Sequence, residues 1–336
     1  MFTWYHTIMR LHTAELMKFI GRHDTIILTT HDPADADGLG AEMVFACILR
    51  KQGKKFRIIN ASATPRHFQV IDAQNIIEQW DDAQHAGLLE QAGLILLDTG
   101  DADNTGVMRD AVCRAKDIWV VDHHEPKPNA VVYAGISDPS SASASELAVA
   151  LAESMGTPID PQTAFAAYIG IAYDTGFFAY PKTGPRTLRA ALLLLEKGVE
   201  TNEVYRLLHE NASTGKLLLQ QQAIASMTLH CQNRVAVQIL RFGDFTAAGA
   251  LPEETDGLVN FPLKSRDIVV SLMIKEPQEG KIRCSLRSKG AVNVAKIAQE
   301  FHGGGHVNAS GFKSKLTVNE TLEAALAKIA EHLDKP

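Results

Sequence analysis

The chain has 336 residues, 46% of them hydrophobic and 21% charged, the balance of a soluble globular protein. Its length suggests two domains, either of which can bury a core of its own. A formal net charge of −6 and a sequence pI near 6.1 argue against an electrostatic grip on long nucleic acid. The longest aliphatic cluster, 190–195, is bounded by Arg189 and Glu196 and falls short of the ~20 apolar residues of a membrane helix. The opening stretch Met1-Phe2-Thr3-Trp4-Tyr5-His6 lacks the basic region and cleavage site of a signal peptide. Cys47, Cys113, Cys231 and Cys284 lie far apart and form no C-x-x-C pair, so they read as reduced core residues. A cytoplasmic protein with no membrane partner is expected.

Helical spacing of Met9, Leu11, Leu16, Phe19 and Ile20 predicts a first helix over 9–22. The run 25–30 reads as a buried strand, and an apolar helix follows over about 38–50. Between them stands His31-Asp32-Pro33-Ala34-Asp35-Ala36-Asp37, an H-x3-D-x-D pattern. An imidazole and two carboxylates crowded on one turn repel or desolvate one another unless a cation sits among them. The same residues also suit an Asp-rich turn with a helix cap.

Further on, the spacing predicts strands over 56–60, 94–97 and 118–121, with a mixed segment after the first and a helix over about 105–115. Short, nearly continuous apolar strands alternating with helices imply an α/β domain with a doubly wound, mainly parallel sheet. Ligands of such sheets bind beyond the carboxyl ends of the strands. His31 directly follows the first strand, Asp98 of Asp98-Thr99-Gly100 follows 94–97, and Asp122-His123-His124 follows 118–121. Three strands delivering imidazole or carboxylate groups to one sheet edge point to a metal site.

Ser143-Ala144-Ser145-Glu146 reads as a capping box, which gives Glu146 a structural role and not a ligand's. A helix from about 161 ends at Asp174-Thr175-Gly176, where Asp174, taken locally, is a helix-terminal turn residue. Helices over about 184–197 and 201–209 complete the first domain, 1–210. One amphipathic helix over 213–229 is expected to connect, within 211–231. Strands over 234–240, 267–275 and 281–286 then predict a smaller α+β domain, 232–336. Between Asn260 and Lys315, ten Lys or Arg stand against four acids. This basic stretch contains Gly303-Gly304-Gly305-His306 and Ala309-Ser310-Gly311. Successive glycines can expose N–H groups that cradle an anion, most readily at a helix N-terminus. Most triple-glycine stretches are plain turns; the basic residues and flanking histidines favour phosphate here.

These motifs, in this order, resemble the DHH phosphoesterase family, whose name motif is Asp122-His123-His124 and whose DHH-associated C-terminal domain is matched by Gly303–His306. Their two-domain extent is most similar to the bifunctional oligoribonuclease (nanoRNase) and pAp phosphatase branch. The resemblance implies two divalent ions. His31, Asp35 and Asp98 would hold one; Asp37, Asp98, His123 and Asp174 would hold the other, with Asp98 bridging. His124 would contact the phosphate or act as acid, and Arg287, Gly303, Gly304, Gly305 and His306 would grip the substrate. Mixed imidazole and carboxylate ligands favour Mn²⁺, with Mg²⁺ or Co²⁺ as alternatives.

The implied activity is attack of a metal-activated water on phosphorus in short oligoribonucleotides, linear dinucleotides or pAp. The basic C-terminal domain would close over a short substrate end, which disfavours long duplex. Other readings are a short-chain polyphosphatase or pyrophosphatase, a cyclic dinucleotide phosphodiesterase and a RecJ-type single-strand exonuclease, for whose extra DNA-binding modules no residues remain. A non-catalytic nucleotide-binding module is opposed by the complete ligand set. Oligomeric state stays open, a homodimer included. Pro33 and Ala34, Gly40-Ala41, Glu125-Pro126-Lys127-Pro128 and Phe177 depart from the family pattern; no ligand is lost, so they bear on substrate preference.

Overall fold

The computed structural model describes residues 2–125, 134–290 and 292–333, the side chains of residues 2–8 and of His306 not among them. Two units divide at Asn211 and Ala212. In the first, a parallel six-stranded sheet is built from β1 (Thr25–Thr29), β2 (Lys55–Asn60), β3 (Ile77–Gln79), β4 (Gly93–Leu97), β5 (Ile118–Asp122) and β6 (Ala134–Ser137). Its order is β3-β2-β1-β4-β5-β6. Winding therefore reverses between β1 and β4, the switch point at which doubly wound sheets open a crevice.

Every residue of β4 and β5 is buried, which explains their unbroken apolar runs. Alternation still sorts the side chains between the two faces. Ile26, Leu28, Ile95, Leu97, Trp119 and Val121 pack to one side. That side is covered by α1 (Phe2–Arg22), α2 (Ala36–Lys51), α5 (Ala144–Ser154), α6 (Pro161–Asp174), α7 (Pro185–Leu195) and α8 (Thr201–His209). Ile27, Leu94, Leu96 and Val120 face the other side, with the short helices α3 (Asp82–His85) and α4 (Arg109–Arg114).

Helices α2 and α6 cross closely because glycines stand at the contact. A Cβ on Gly40 would lie 2.8 Å from the Ala166 carbonyl oxygen, and one on Gly170 would lie 2.9 Å from that of Ala36. The crossing fixes the start of α2 against the second half of α6.

The α/β architecture agrees with the sequence, and the local differences have physical reasons. Short edge strands β3 and β6 carry too few apolar residues for a periodic signal and exist through pairing with β2 and β5. The helix expected over 105–115 is instead a 3₁₀ segment, Ala102–Met108, followed by α4. Thr105 and Gly106 break it, Gly106 with φ +56°.

The second unit contains α9 (Thr214–Ala225), β7 (Thr228–His230), β8 (Val235–Leu240), α10 (Phe242–Ala248), β9 (Val270–Gln278), β10 (Lys281–Ser288), α11 (Val294–Glu300), β11 (Gly304–His306), β12 (Ala309–Ser314) and α12 (Val318–Leu333). Its mixed sheet has the order β11-β12-β10-β9-β8-β7, with only β8 and β9 parallel among the described pairs. Val237, Leu272, Leu286, Ile297 and Ile329 form a core on one face; Leu219, Ala223, Leu240, Phe245 and Met273 form a smaller one on the other. The stretch 213–229 is thus not a single helix. It ends at Ala225, and Thr228–His230 joins the sheet beside β8. Among the described residues, no helix is long and apolar enough to cross a membrane.

Candidate metal centre

The carboxyl ends of β1, β4 and β5 carry the site. Beyond β1, the Asp35 carboxylate caps α2, accepting from the N–H groups of Asp37 (2.9 Å) and Gly38 (3.2 Å). The helix-cap and ligand readings of Asp35 are therefore compatible. Asp37, two residues further, is wholly buried. Its two oxygens accept from the N–H groups of Ala144 (2.6 Å) and Ser145 (2.9 Å) at the start of α5, where the helix dipole favours an anion. Asp98 leaves β4 in a left-handed conformation, φ +60°, which aspartate tolerates better than most residues.

Asp98 is the hub. Its Oδ2 lies 3.3 Å from His31 Nε2 and its Oδ1 lies 3.2 Å from His123 Nε2. Around His31, Asp35 Oδ1 stands at 3.5 Å. Around His123, Asp174 Oδ2 stands at 3.2 Å and Asp37 Oδ2 at 3.7 Å. Ligand atoms of His31, Asp35 and Asp98 gather within 4.8 Å, as do those of Asp37, His123 and Asp174, and those of Asp98, His123 and His124. Six residues from four separate stretches of chain, with His124 beside them, are thus brought into one cluster. Asp174, a turn residue by local sequence, stands at the end of α6 inside it.

Without a cation the cluster is electrostatically uneasy. Burial first, then the neighbouring carboxylates Asp98 and Asp174, push the Asp37 carboxyl well above its usual range. Burial works against charge on His31, yet Asp35 and Asp98 raise it to about 10; His123, against the same burial, is raised by Asp174 and Asp98 to about 11. Burial likewise opposes ionisation of Asp98, but His123 and His31 bring it down to about 2. Protons on the two imidazoles thus balance the buried carboxylates. Geometry leaves the pairing incomplete: Asp98 Oδ1 and both ring nitrogens of His123 are buried without a hydrogen-bond partner. Unpartnered donor atoms converging from imidazole and carboxylate groups are what a divalent cation would satisfy, so the residues present fit one.

Asp122, the first residue of the Asp-His-His triplet, has a role the sequence reading did not assign. Its Oδ1 accepts from the His124 N–H at 3.1 Å and stands 2.8 Å from His124 Nδ1. Its Oδ2 accepts from the Gly100 N–H at 2.8 Å. One carboxylate therefore ties the β4 turn to the β5 turn and orients the exposed His124 ring. The hydrogen bond with Asp122 raises the His124 pKa. Ser145 was missed as well: its hydroxyl donates to the Asp37 carbonyl at 2.9 Å.

The capping box is half formed. Ser143 Oγ accepts from the Glu146 N–H at 3.0 Å, while the Glu146 carboxylate accepts from Thr187 Oγ1 of α7 at 2.7 Å.

In the second unit, Arg287 lies on β10 opposite Ser271 and Ala309. Its half-buried guanidinium donates to the Leu286 carbonyl at 2.9 Å, and burial lowers its pKa. Gly303 follows the end of α11, so the glycine run is not at a helix N-terminus; Gly304 and Gly305 lie on β11 beside β12. Close strand packing accounts for two of these glycines. A Cβ on Gly303 would sit 2.3 Å from the Gly311 carbonyl oxygen, and one on Gly305, at φ +140°, would sit 2.4 Å from that of Ala309. The His306 side chain and Pro126-Lys127-Pro128 lie outside the described residues.

Residues 25–171 match the DHH family, N-terminal domain, and residues 232–335 match the DHHA1 domain. The chain is a DHH–DHHA1 protein. It is 27% identical, over 98% of its length and 96% of the relative's, to the bifunctional oligoribonuclease and PAP phosphatase NrnA of Thermus thermophilus. The Bacillus subtilis protein of the same name is 27% identical over 88% of this chain and 91% of its own. A crystal structure of an exopolyphosphatase-related protein from Bacteroides fragilis superposes on this DHH–DHHA1 protein with a TM-score of 0.86. The two share 26% identity, and the match covers 97% of this chain and 98% of that one.

Proposed function

We propose that this DHH–DHHA1 protein is a divalent-metal-dependent phosphoesterase acting on short nucleotide substrates: short oligoribonucleotides, linear dinucleotides or pAp. One observation carries the reading. The two oxygens of Asp98 address two different imidazoles, each joined by a further carboxylate. A shared carboxylate suits a pair of ions and is superfluous for one. His31, Asp35 and Asp98 would hold one ion; Asp37, Asp98, His123 and Asp174 the other. The mixed donor set suits Mn²⁺. Such ions, when bound, supply a water of lowered pKa and neutralise charge on phosphate oxygens.

The chain's own residues do the rest. Asp122 holds His124 so that its ring, its pKa raised toward the protonated form, can donate to a phosphate oxygen or the leaving group. Ala144 and Ser145 N–H groups fix the Asp37 carboxylate from behind, as supporting hydrogen bonds orient metal-binding groups elsewhere. A nucleotide reading is supported by the names of the Thermus and Bacillus relatives and by the basic stretch around Arg287. Soluble, cytoplasmic action fits a small diffusible substrate.

The test is hydrolysis, with Mn²⁺, of pAp, a pentaribonucleotide, linear pGpG and a cyclic dinucleotide beside tripolyphosphate. The last belongs in the panel because the Bacteroides fragilis neighbour is called exopolyphosphatase-related. Turnover of tripolyphosphate alone would overturn the nucleotide reading.

Two substitutions refine it. Asp174→Ala removes a carboxylate 3.2 Å from His123. It is expected to lower Mn²⁺ content as well as kcat, and full metal occupancy by elemental analysis would return Asp174 to a turn residue. Arg287→Ala is expected to raise KM for a nucleotide about 10-fold with metal content unchanged. Arg287→Lys should restore only part of the loss, because a planar guanidinium pairs a phosphate bidentately and an ammonium does not. Wild-type kcat/KM on both pAp and a dinucleotide would detach Arg287 from substrate.

A further inference from the structure

The turn that leaves α6 is unusual. Gly176, Phe177 and Phe178 follow one another with φ +55°, +56° and +67°. Left-handed backbone is unfavourable for a bulky L-residue and persists only where its surroundings enforce it. They do so here. Phe177 N–H donates to the Ala172 carbonyl (2.6 Å), Phe178 N–H to Thr175 Oγ1 (3.0 Å), and Ala179 and Tyr180 N–H both to the Thr175 carbonyl (2.9 Å each). The Phe177 ring meets Tyr205 and His209 of α8 edge-on, and Phe178 meets Tyr168. Both phenylalanines thus anchor the turn inward.

What remains outward is chemically specific. Tyr180 is 58% exposed. Its ring lies on the bare backbone of Gly176, where a Cβ would come 2.5 Å from Cε1 and Cζ. That places the ring two residues from Asp174. Lys182, also exposed, reaches back so that Nζ donates to the His123 carbonyl at 3.3 Å, leaving two ammonium donors unused by that bond. A rigid turn therefore sets an exposed aromatic face and a cation against the rim of the metal centre. Nucleobases stack on such rings whatever their sequence, and ammonium groups pair with phosphate.

We infer that the Tyr180–Lys182 turn is the nucleoside-selecting wall of the centre, Tyr180 stacking on a substrate base and Lys182 pairing with a substrate phosphate. The inference rests on the nucleotide reading above and narrows it to substrates carrying a base next to the scissile phosphate.

The experiment compares kcat/KM for diadenylate and for its analogues lacking either base. Wild type is expected to favour diadenylate over one of these analogues by about 10- to 100-fold. Tyr180→Ala should bring that ratio close to one, and Tyr180→Phe should keep it. Lys182→Ala should flatten the dependence of log KM on log salt by about 0.7 to 1, with Lys182→Arg restoring it. A ratio in Tyr180→Ala equal to that of wild type overturns the wall. Binding of a 2-aminopurine dinucleotide with Ca²⁺ in place of Mn²⁺, read by fluorescence quenching, needs no turnover. Quenching lost in Tyr180→Leu and kept in Tyr180→Phe supports the wall even if no dinucleotide is hydrolysed, in which case only the functional reading fails. Absence of quenching in wild type overturns the wall itself.

Discussion

Asp98→Asn is expected to abolish turnover, lowering kcat by about three orders of magnitude or more, while the circular dichroism spectrum keeps its folded form. Asparagine fills the same buried space, so the packing of β4 against β1 and β5 is not disturbed. Its amide, however, offers one oxygen where the carboxylate offers two, and Asp98 addresses His123 with one and His31 with the other. Whichever way the amide turns, one imidazole faces an NH₂ group. Mn²⁺ content should fall accordingly, measured by elemental analysis of the purified variant. Wild-type activity with Mn²⁺ would show that no bridging carboxylate is required.

The second large effect is the pH dependence of metal loading. In the metal-free protein His31 and His123 hold their protons up to about pH 10 and 11. A metal takes neutral imidazole, so near pH 7 filling the two sites proposed above is expected to release at least two protons, one from each imidazole. Each released proton makes binding about tenfold tighter per pH unit, and the overall two-ion constant should rise about 100-fold between pH 6.5 and 7.5. Calorimetric titration in buffers of different ionisation enthalpy counts the protons directly. A count near zero would mean that the imidazoles are already neutral or are not ligands.

The same shifts fix how the metal-free fold responds to pH. Both histidines lie above their ordinary 6.5, so their contribution to stability is complete below that value and lost as pH rises through 10 to 11. Asp98, held at about 2 against its ordinary 3.8, contributes above 3.8 and loses this contribution as pH falls toward 2.

The sequence by itself determined the α/β class of the first unit, because strands buried on both faces must be apolar throughout. β1, β4 and β5 could be read for that reason. It also placed His31, Asp98 and the Asp122-His123-His124 triplet at one sheet edge, since parallel strands end on the same side. Elements that carry no burial signal of their own escaped it: β3, β6 and β7 are strands only because a neighbour offers a backbone to pair with.

Asp174 shows the same limit within the site. Its local sequence is a helix end before glycine, and only the crossing of α2 and α6 at Gly40 and Gly170 brings it beside His123. Asp122 could be read as part of a motif but not as the group that orients His124 and ties down Gly100. Residue type and spacing along the chain state which groups a site can use. Which oxygen faces which nitrogen depends on contacts between segments more than a hundred residues apart, such as Asp37 with Ala144 and Ser145, and that was decided only by the tertiary structure.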